Sequence, residues 1–469
     1  MNRGAVTFFF TLFIGPPAQA IPRNLPDFFS SRALYYVRVT GWDGRLLGPG
    51  ALKDYATTPG SKIEIFTTDP LSPLHCPDTI SREENRLLSA GPVKMKISGN
   101  FTFGTPKSSY KISLKKPLLG MTTLNLKSMW NDVSQMREAI AWKIFKELGI
   151  AASGHTYAKF CINGKYYGLY SVIENVDRAY LDRHFPQKTT GNLYKADWEE
   201  SDLGPATLEK RGDGKYFINR DPEVRTYALK TDDAHTENPT FNNYSDLAAF
   251  ISILHERDPQ TEAFASSIEK ILEVKGFLRW AAASILMGAW DNYWQTPSNY
   301  SLYNAGASND VLLMERPYFH WIPWDYDLTF GISFSSVSWQ FGDLLNWEAG
   351  RLPNAPKIPL IAQVLKNKKF QRYYMEQIEM LLIRFINERW IQEETASVWK
   401  VIEKAIYLES DTPHGPAHTG RQFTNDEVYR HGREHHYIER GPMRGLGILH
   451  FVKMRQDSAI KQLEAWRRQ

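Results

Sequence analysis

Neither cysteine nor net charge is plentiful in this 469-residue chain. Its two cysteines, Cys76 and Cys161, allow at most one disulfide; an exported chain could join them, and a pair of buried thiols is the other reading. Acidic residues nearly balance basic ones, 52 against 56 with a net charge of +4, so a nucleic-acid partner has no electrostatic support. Beyond the first twenty residues no uninterrupted apolar run reaches the roughly twenty needed to cross a bilayer, and no membrane span is expected. Glycine is short where one kind of site would want it. The loop NFTFGTP, residues 100–106, holds a single glycine, too few for a glycine-rich phosphate-binding loop.

What is present begins with an address. Arg3, the apolar VTFFFTLFIG and Ala18-Gln19-Ala20 read as the charged region, core and cleavage site of a signal peptide over residues 1–20. The mature chain then starts at Ile21 and is exported, to a periplasm or the extracellular space. The remainder, with 42% hydrophobic and 23% charged residues overall, has the composition of a globular enzyme and is long enough for two lobes or domains.

Residues 21–90, with Pro- and Asp-rich loops around runs such as ALYYVRV and KIEIF, read as a β-rich N-terminal extension. KMKISG and KSSYKISLKK follow as strands; in the second, Tyr110, Ile112 and Leu114 share one face, Lys111 and Ser113 the other. Lys107 stands at that strand's start, where a lysine is ordinarily a solvated edge residue. A helix is expected from about Asp132 to Leu148, with Asp132 and Gln135 spaced as a capping box and Gly149 just past the end. Its apolar stripe carries Arg137 in the middle, and an inward guanidinium must find an anion, either a carboxylate or a ligand phosphate. Glu138, at the stripe's edge, could pair with Lys107 or Lys111.

Asn163-Gly164 between TYAKFCI and KYYGLYSVI marks a type I′ hairpin that closes at Glu174. Residues 91–175 thus read as one β-rich lobe with a core helix, and 176–469 as a mainly helical second lobe. Residues 186–245, rich in Gly, Asp, Thr and Asn, read as an insertion or a substrate-facing surface, and Lys195 within them as structural. Helices are expected from about Ser245 to Leu286, near Pro359 to Phe385, Ile391 to Leu408 and Leu446 to Trp466. His431, His435 and His436, set among alternating charges, read as a solvated helical face and not as a metal site.

The chain is organised around residues 287–331. Asp291 ends an apolar run, Asn299 follows a short loop later, and the hairpin NYSLYN/YFHWIPW closes on Asp325 and Asp327. Carboxylates and an amide brought to one end of a hairpin are what is needed to hold a divalent cation beside a polyphosphate while another carboxylate accepts a hydroxyl proton. A structural calcium site is a weaker reading of the same aspartates.

The segments TPKSSYKISLKK, MREAIAWKIFKELGI, INGKYYGLYSVIENVD, DNYWQTPSNYSLY and IPWDYDLTFG, in that order, resemble the successive blocks of the CotH family, and GLGILHFVKMRQDSAIKQL is similar to its last helix. The resemblance implies an α+β, atypical protein-kinase-like two-lobed fold and a secreted kinase that uses ATP with Mg2+ or Mn2+ to phosphorylate Ser, Thr or Tyr hydroxyls of a protein. It implies Asp291 as the catalytic-loop aspartate, Asn299 with Asp325 or Asp327 as metal ligands, and Lys107 or Lys111 reaching the phosphates. Arg137, Glu138 and Glu174 complete the set assigned to the nucleotide, and all are expected to converge on one cleft. Seven residues separate Asp291 from Asn299, where the ordinary kinase signature has four, so the local geometry is not that of a standard catalytic loop. A non-catalytic surface or coat-assembly protein that keeps the fold is the competing reading.

Overall fold

The computed structural model describes residues 21–29, 33–44, 54–67, 76, 85–99, 105–186, 191–196, 205–211, 215–216, 226–230, 244–306, 314–410 and 422–469. The expected signal peptide lies outside them. The fold is α+β: strands dominate up to Glu174 and helices dominate from Ser245 onward.

A short helix, α1 (Leu25–Phe28), stacks Phe28 on Tyr35 and introduces a nine-stranded sheet. Its strands are β1 (Leu34–Thr40), β2 (Ala56–Thr58), β3 (Lys62–Thr67), β4 (Arg86–Ala90), β5 (Val93–Ser98), β6 (Ser109–Leu118), β7 (Met121–Lys127), β8 (His155–Ile162) and β9 (Lys165–Glu174). They run in the order β2-β5-β6-β7-β9-β8-β1-β3-β4, antiparallel except where β1 meets β8. The β8–β9 turn is the expected hairpin, with Asn163 and Gly164 both at positive φ, and the Asn163 side chain also bonds both backbone groups of Trp42.

Strand register decides which residues can meet. Ile97, Tyr110, Ile112, Leu124, Leu126, Phe160 and Val172 form one buried face and its hydrophobic core. Lys96 pairs with Lys111, Lys111 with Asn125, and Lys127 lies two residues beyond Asn125, so all four project from the opposite face. That second face, further along, carries Tyr157 and Ile173 into the core shared with helix α2 (Arg137–Glu147) and the later helices.

Helix α2 begins later than the capping-box spacing suggests. Gln135 adopts φ +60° and sends its amide to the carbonyls of Met129 and Asp132, so it cannot reach back as a cap. Asp132 instead accepts from the amides of Ser134 and Arg137, an anion placed against the helix's N-terminal end. At the other end Gly149 takes φ +65° as expected, with Ile150 N donating to Phe145 O.

A four-stranded sheet holds the central hairpin. Strand Tyr300–Asn304 pairs with Phe319–Pro323 on one side and with β10 (Asn192–Ala196) on the other. Residues 192–196, within the stretch read as an insertion or a substrate-facing surface, are therefore part of the hairpin's own sheet. Asp246, buried on the helix Ser245–Glu256, ties the two strands together through Tyr194, Asn192 and Asn304. Long helices at Lys368–Arg384, Glu388–Ser410 and Ile448–Arg467 complete the C-terminal half. His431 is a second correction: it is buried, with Nδ1 2.9 Å from Nδ1 of His436, while His435 is exposed. No helix among the described residues is long and apolar enough to cross a membrane.

Two cross-links fasten the sheet. Cys76 and Cys161 are joined as a disulfide. Lys107 is fully buried, its Nζ donating to Glu409 Oε1 and to the Leu169 carbonyl, both at 2.7 Å, while Leu169 N donates to Glu409 Oε2. Gly168 is required beside this pair, since at φ +117° a Cβ would stand 2.7 Å from the Glu409 carboxyl carbon. Removing one partner of such a pair strands a buried charge. Lys107→Met is accordingly expected to lower the unfolding free energy by about 3–5 kcal/mol in denaturant titration, and Lys107→Met combined with Glu409→Leu to recover much of that loss.

Candidate functional site

The site grows from the end of β7. Alternation turns Lys127 toward helix α2, where its Nζ lies 2.9 Å from Glu138 Oε1, and it is also bonded to Asp325 Oδ1. The Trp324 ring lies beneath the ammonium at 5.0 Å. Sequence reasoning missed Lys127 and offered Glu138 the wrong lysines. The available signal was positional: Lys127 closes the strand that leads directly into the helix carrying Glu138.

The aspartates arrive from the second sheet. The helix Val274–Leu286 is buried along nearly its whole length and stops at Gly288, φ +62°. The turn that follows presents Asp291, whose Oδ1 accepts from Thr296 Oγ1 at 2.8 Å. Asn299 Nδ2 donates to the Asp291 carbonyl at 2.7 Å and to its Oδ2 at 3.3 Å. Across the hairpin, Trp324 N donates to Asn299 O, and Asp325 follows at φ +59°. Asn299 is also left-handed, at φ +55°, a conformation that Asn and Asp tolerate better than other side chains. These two turns bring Asp291, Asn299, Asp325 and Asp327 to the same end of one hairpin.

The charges are unbalanced. Burial raises the pKa of Asp291 to about 6, and Asp325 adds to the effect although Thr296 and Asn299 oppose it. Burial likewise raises Asp327 well above the usual carboxylate range, reinforced by Asp325, Glu138 and Asp291. Burial also raises Glu138, against the pull of Lys127. Lys127 is the shared counter-charge: burial disfavours its ammonium, but Asp325, Glu138 and Asp327 together hold it protonated. Four carboxylates thus gather around one ammonium, and Asp327 has no hydrogen bond among the described residues. The Asn299 side-chain oxygen has none either. Excess negative charge on oxygen donors of this kind fits a hard divalent cation. Among the described residues no three His, Cys, Asp or Glu side chains form a ready-made metal cage.

The remaining assigned residues divide. Lys111 stays on the same sheet face as Lys127, one strand away; burial and Lys96 lower its pKa to about 8, Asp177 opposing. Lys107 is committed to Glu409 in a closed interior, which corrects its assignment to phosphate. Glu174 alternates onto the face opposite Lys127 and is held by Arg183 and the Gly154 amide, so it too is structural. Arg137 is also corrected. Its guanidinium is fully buried and spends its N–H groups on Asp132 (2.5 Å), Ser134 Oγ (3.0 Å) and the carbonyls of Thr329 (2.9 Å), Leu446 (2.8 Å) and Phe330 (3.5 Å). No donor is left over for a ligand phosphate.

Residues 95–434 match the family described as CotH kinase protein. The chain is 22% identical over 351 residues to the inner spore coat protein H of Bacillus subtilis (strain 168), covering 74% of this chain and 84% of that protein. It is also 22% identical over 364 residues to invasin CotH2 of Rhizopus delemar, covering 69% of this chain and 56% of the invasin. A shorter likeness, 30% over 179 residues, links it to the inner spore coat protein H-like protein of B. subtilis, with 37% of this chain and 43% of that protein covered. With most of its described fold inside the matched span, the chain belongs to the CotH family.

Proposed function

We propose that this protein is an exported, metal-dependent phosphotransferase that moves the γ-phosphate of ATP to hydroxyl groups of a protein. The observation that carries the reading is the Lys127–Glu138 pair set against Asp291, Asn299, Asp325 and Asp327. A lysine on a strand, fixed by a helix glutamate and facing aspartates on a hairpin, is the arrangement by which kinase-like folds grip a nucleotide between two lobes. The family description as a kinase supports the same reading.

In this account Lys127 meets the phosphates, and Glu138 keeps its ammonium aimed. Lys111, farther along the same face, contributes a second positive charge to the nucleotide. Asp325, Asp327 and the Asn299 oxygen would hold the divalent cation, Mg2+ or Mn2+, which when bound neutralises charge on the phosphates. Asp291 orients the acceptor hydroxyl and takes its proton, a task suited to a carboxylate whose proton affinity is raised toward the working pH. Thr296 and Asn299 fix its two oxygens in place.

The printed names of the relatives, spore coat and invasin, favour a second reading in which the fold serves surface assembly without turnover. Calorimetry with a non-hydrolysable ATP analogue separates the two. The kinase reading expects binding only with Mg2+ or Mn2+, lost in Asp327→Ala and kept in Asp291→Ala, while turnover in Asp291→Ala falls by about 10²–10⁴. A parent protein that binds no nucleotide under any metal condition selects the assembly reading.

Lys111 supplies a pH signature. Its ammonium assists phosphate binding below its pKa of about 8 and is lost above it, so nucleotide affinity should be flat up to neutrality and decline through pH 8. By pH 9 the loss should be about tenfold, and Lys111→Met should remove the decline by starting from the weaker value.

A further inference from the structure

Arg137 touches neither Lys127 nor any aspartate of the hairpin, yet it stands between them in the chain's architecture. It immediately precedes Glu138 at the first turn of α2, and its guanidinium reaches the carbonyls of Thr329 and Phe330, two and three residues beyond Asp327. A third carbonyl, Leu446 O, comes from the strand Met443–Leu446, which pairs with Ile332–Ser333 just downstream. Asp132 supplies the counter-charge, and the same carboxylate caps the Arg137 amide. One planar group therefore ties the segment that carries Glu138 to the segment that carries Asp325 and Asp327.

We propose that Arg137 is the positioning residue that sets the separation between the phosphate-gripping half of the site and its metal-binding half. The inference rests on the phosphotransferase reading for its consequence, though not for its geometry. Buried carbonyls accept from a guanidinium only in a narrow range of distance and angle, so three of them from one segment pair and one carboxylate from the other leave α2 little freedom to slide. A second contact acts in the same direction: Tyr326, between the two aspartates, presents its ring edge-on to Phe145 and Trp142 of α2 at 4.6 and 5.5 Å between centroids. Tyr326 is pinned in turn by Trp280 Nε1. Packing contacts of that kind allow rotation and slip; the directional bonds of Arg137 do not. The two segments are thus held together by a residue inside the fold.

The test compares the parent with Arg137→Lys and Arg137→Met. Lysine keeps the charge beside Asp132 but replaces a five-donor fork by a point charge, so it can fold while losing the span to Thr329, Phe330 and Leu446. Each purified protein is given labelled ATP with Mn2+, scoring autophosphorylation and transfer to Ser, Thr and Tyr peptides. Hydrogen exchange is followed in residues 137–141 and 329–332. The expected result for Arg137→Lys is a kcat lower by about ten- to hundredfold with KM for ATP changed far less, together with faster exchange in both segments at once. Parental kcat in a folded Arg137→Lys or Arg137→Met protein overturns the proposal, and so does unchanged exchange in either segment. A parent that transfers no phosphate counts against the kinase reading alone; the exchange data then decide for Arg137 by themselves.

Discussion

The charged cluster at the end of the hairpin depends on one ammonium serving three carboxylates. Lys127 reaches Glu138 from the same half of the fold and Asp325 from the other, and Asp327 lies within its field. Without it, burial of Glu138 and Asp327 would carry no charge compensation, and such groups neutralise or unfold the site in preference to staying ionised. With it, the site still holds more negative than positive charge. Excess carboxylate charge of this kind is what a divalent cation would offset.

The framework holds these groups by means that differ on each side. On the sheet side, strand alternation alone suffices: Lys96, Lys111, Asn125 and Lys127 share a face because their strands are in register. On the hairpin side, two left-handed residues, Asn299 and Asp325, direct their side chains to Asp291 and Lys127 respectively, and β10 extends the hairpin's sheet along Tyr300–Asn304. A buried ionic contact at Lys107–Glu409 and a partly buried one at Lys143–Glu394 then join early strands and α2 to the long helix Glu388–Ser410. Such pairs add little net stability but penalise any arrangement that separates them.

Much of this was legible in the sequence, and the failures have physical causes. The Asn163-Gly164 hairpin, the alternation around Lys111 and the strand pair flanking 300–323 follow from local rules, and the structure has them where those rules put them. The aspartates of the hairpin were readable because their spacing is set by one short turn. The lysine was not. Lys107, Lys111 and Lys127 all sit on or beside strands, and only the sheet order decides which one faces Glu138; that order depends on contacts far apart in the chain. Arg137 was correctly read as inward and in need of an anion. Its anion, Asp132, lies five residues away, hidden by the assumption that Asp132 was capping a helix with Gln135. His431 was misjudged for a related reason, since the charges around it in sequence are exposed or half-buried while its ring turns in beside Val428 and Gly432.

The central claim is that one nucleotide and one cation are held between Lys127 and the hairpin aspartates. The measurement that meets it most directly is a crystal structure of the protein with Mn2+ and a non-hydrolysable ATP analogue, using anomalous scattering to place the metal. The account predicts the anomalous peak beside Asp325 or Asp327, with phosphate oxygens completing the metal's shell and Lys127 on the phosphates. A nucleotide seated elsewhere, or a metal bound with no contact to either aspartate, would contradict it.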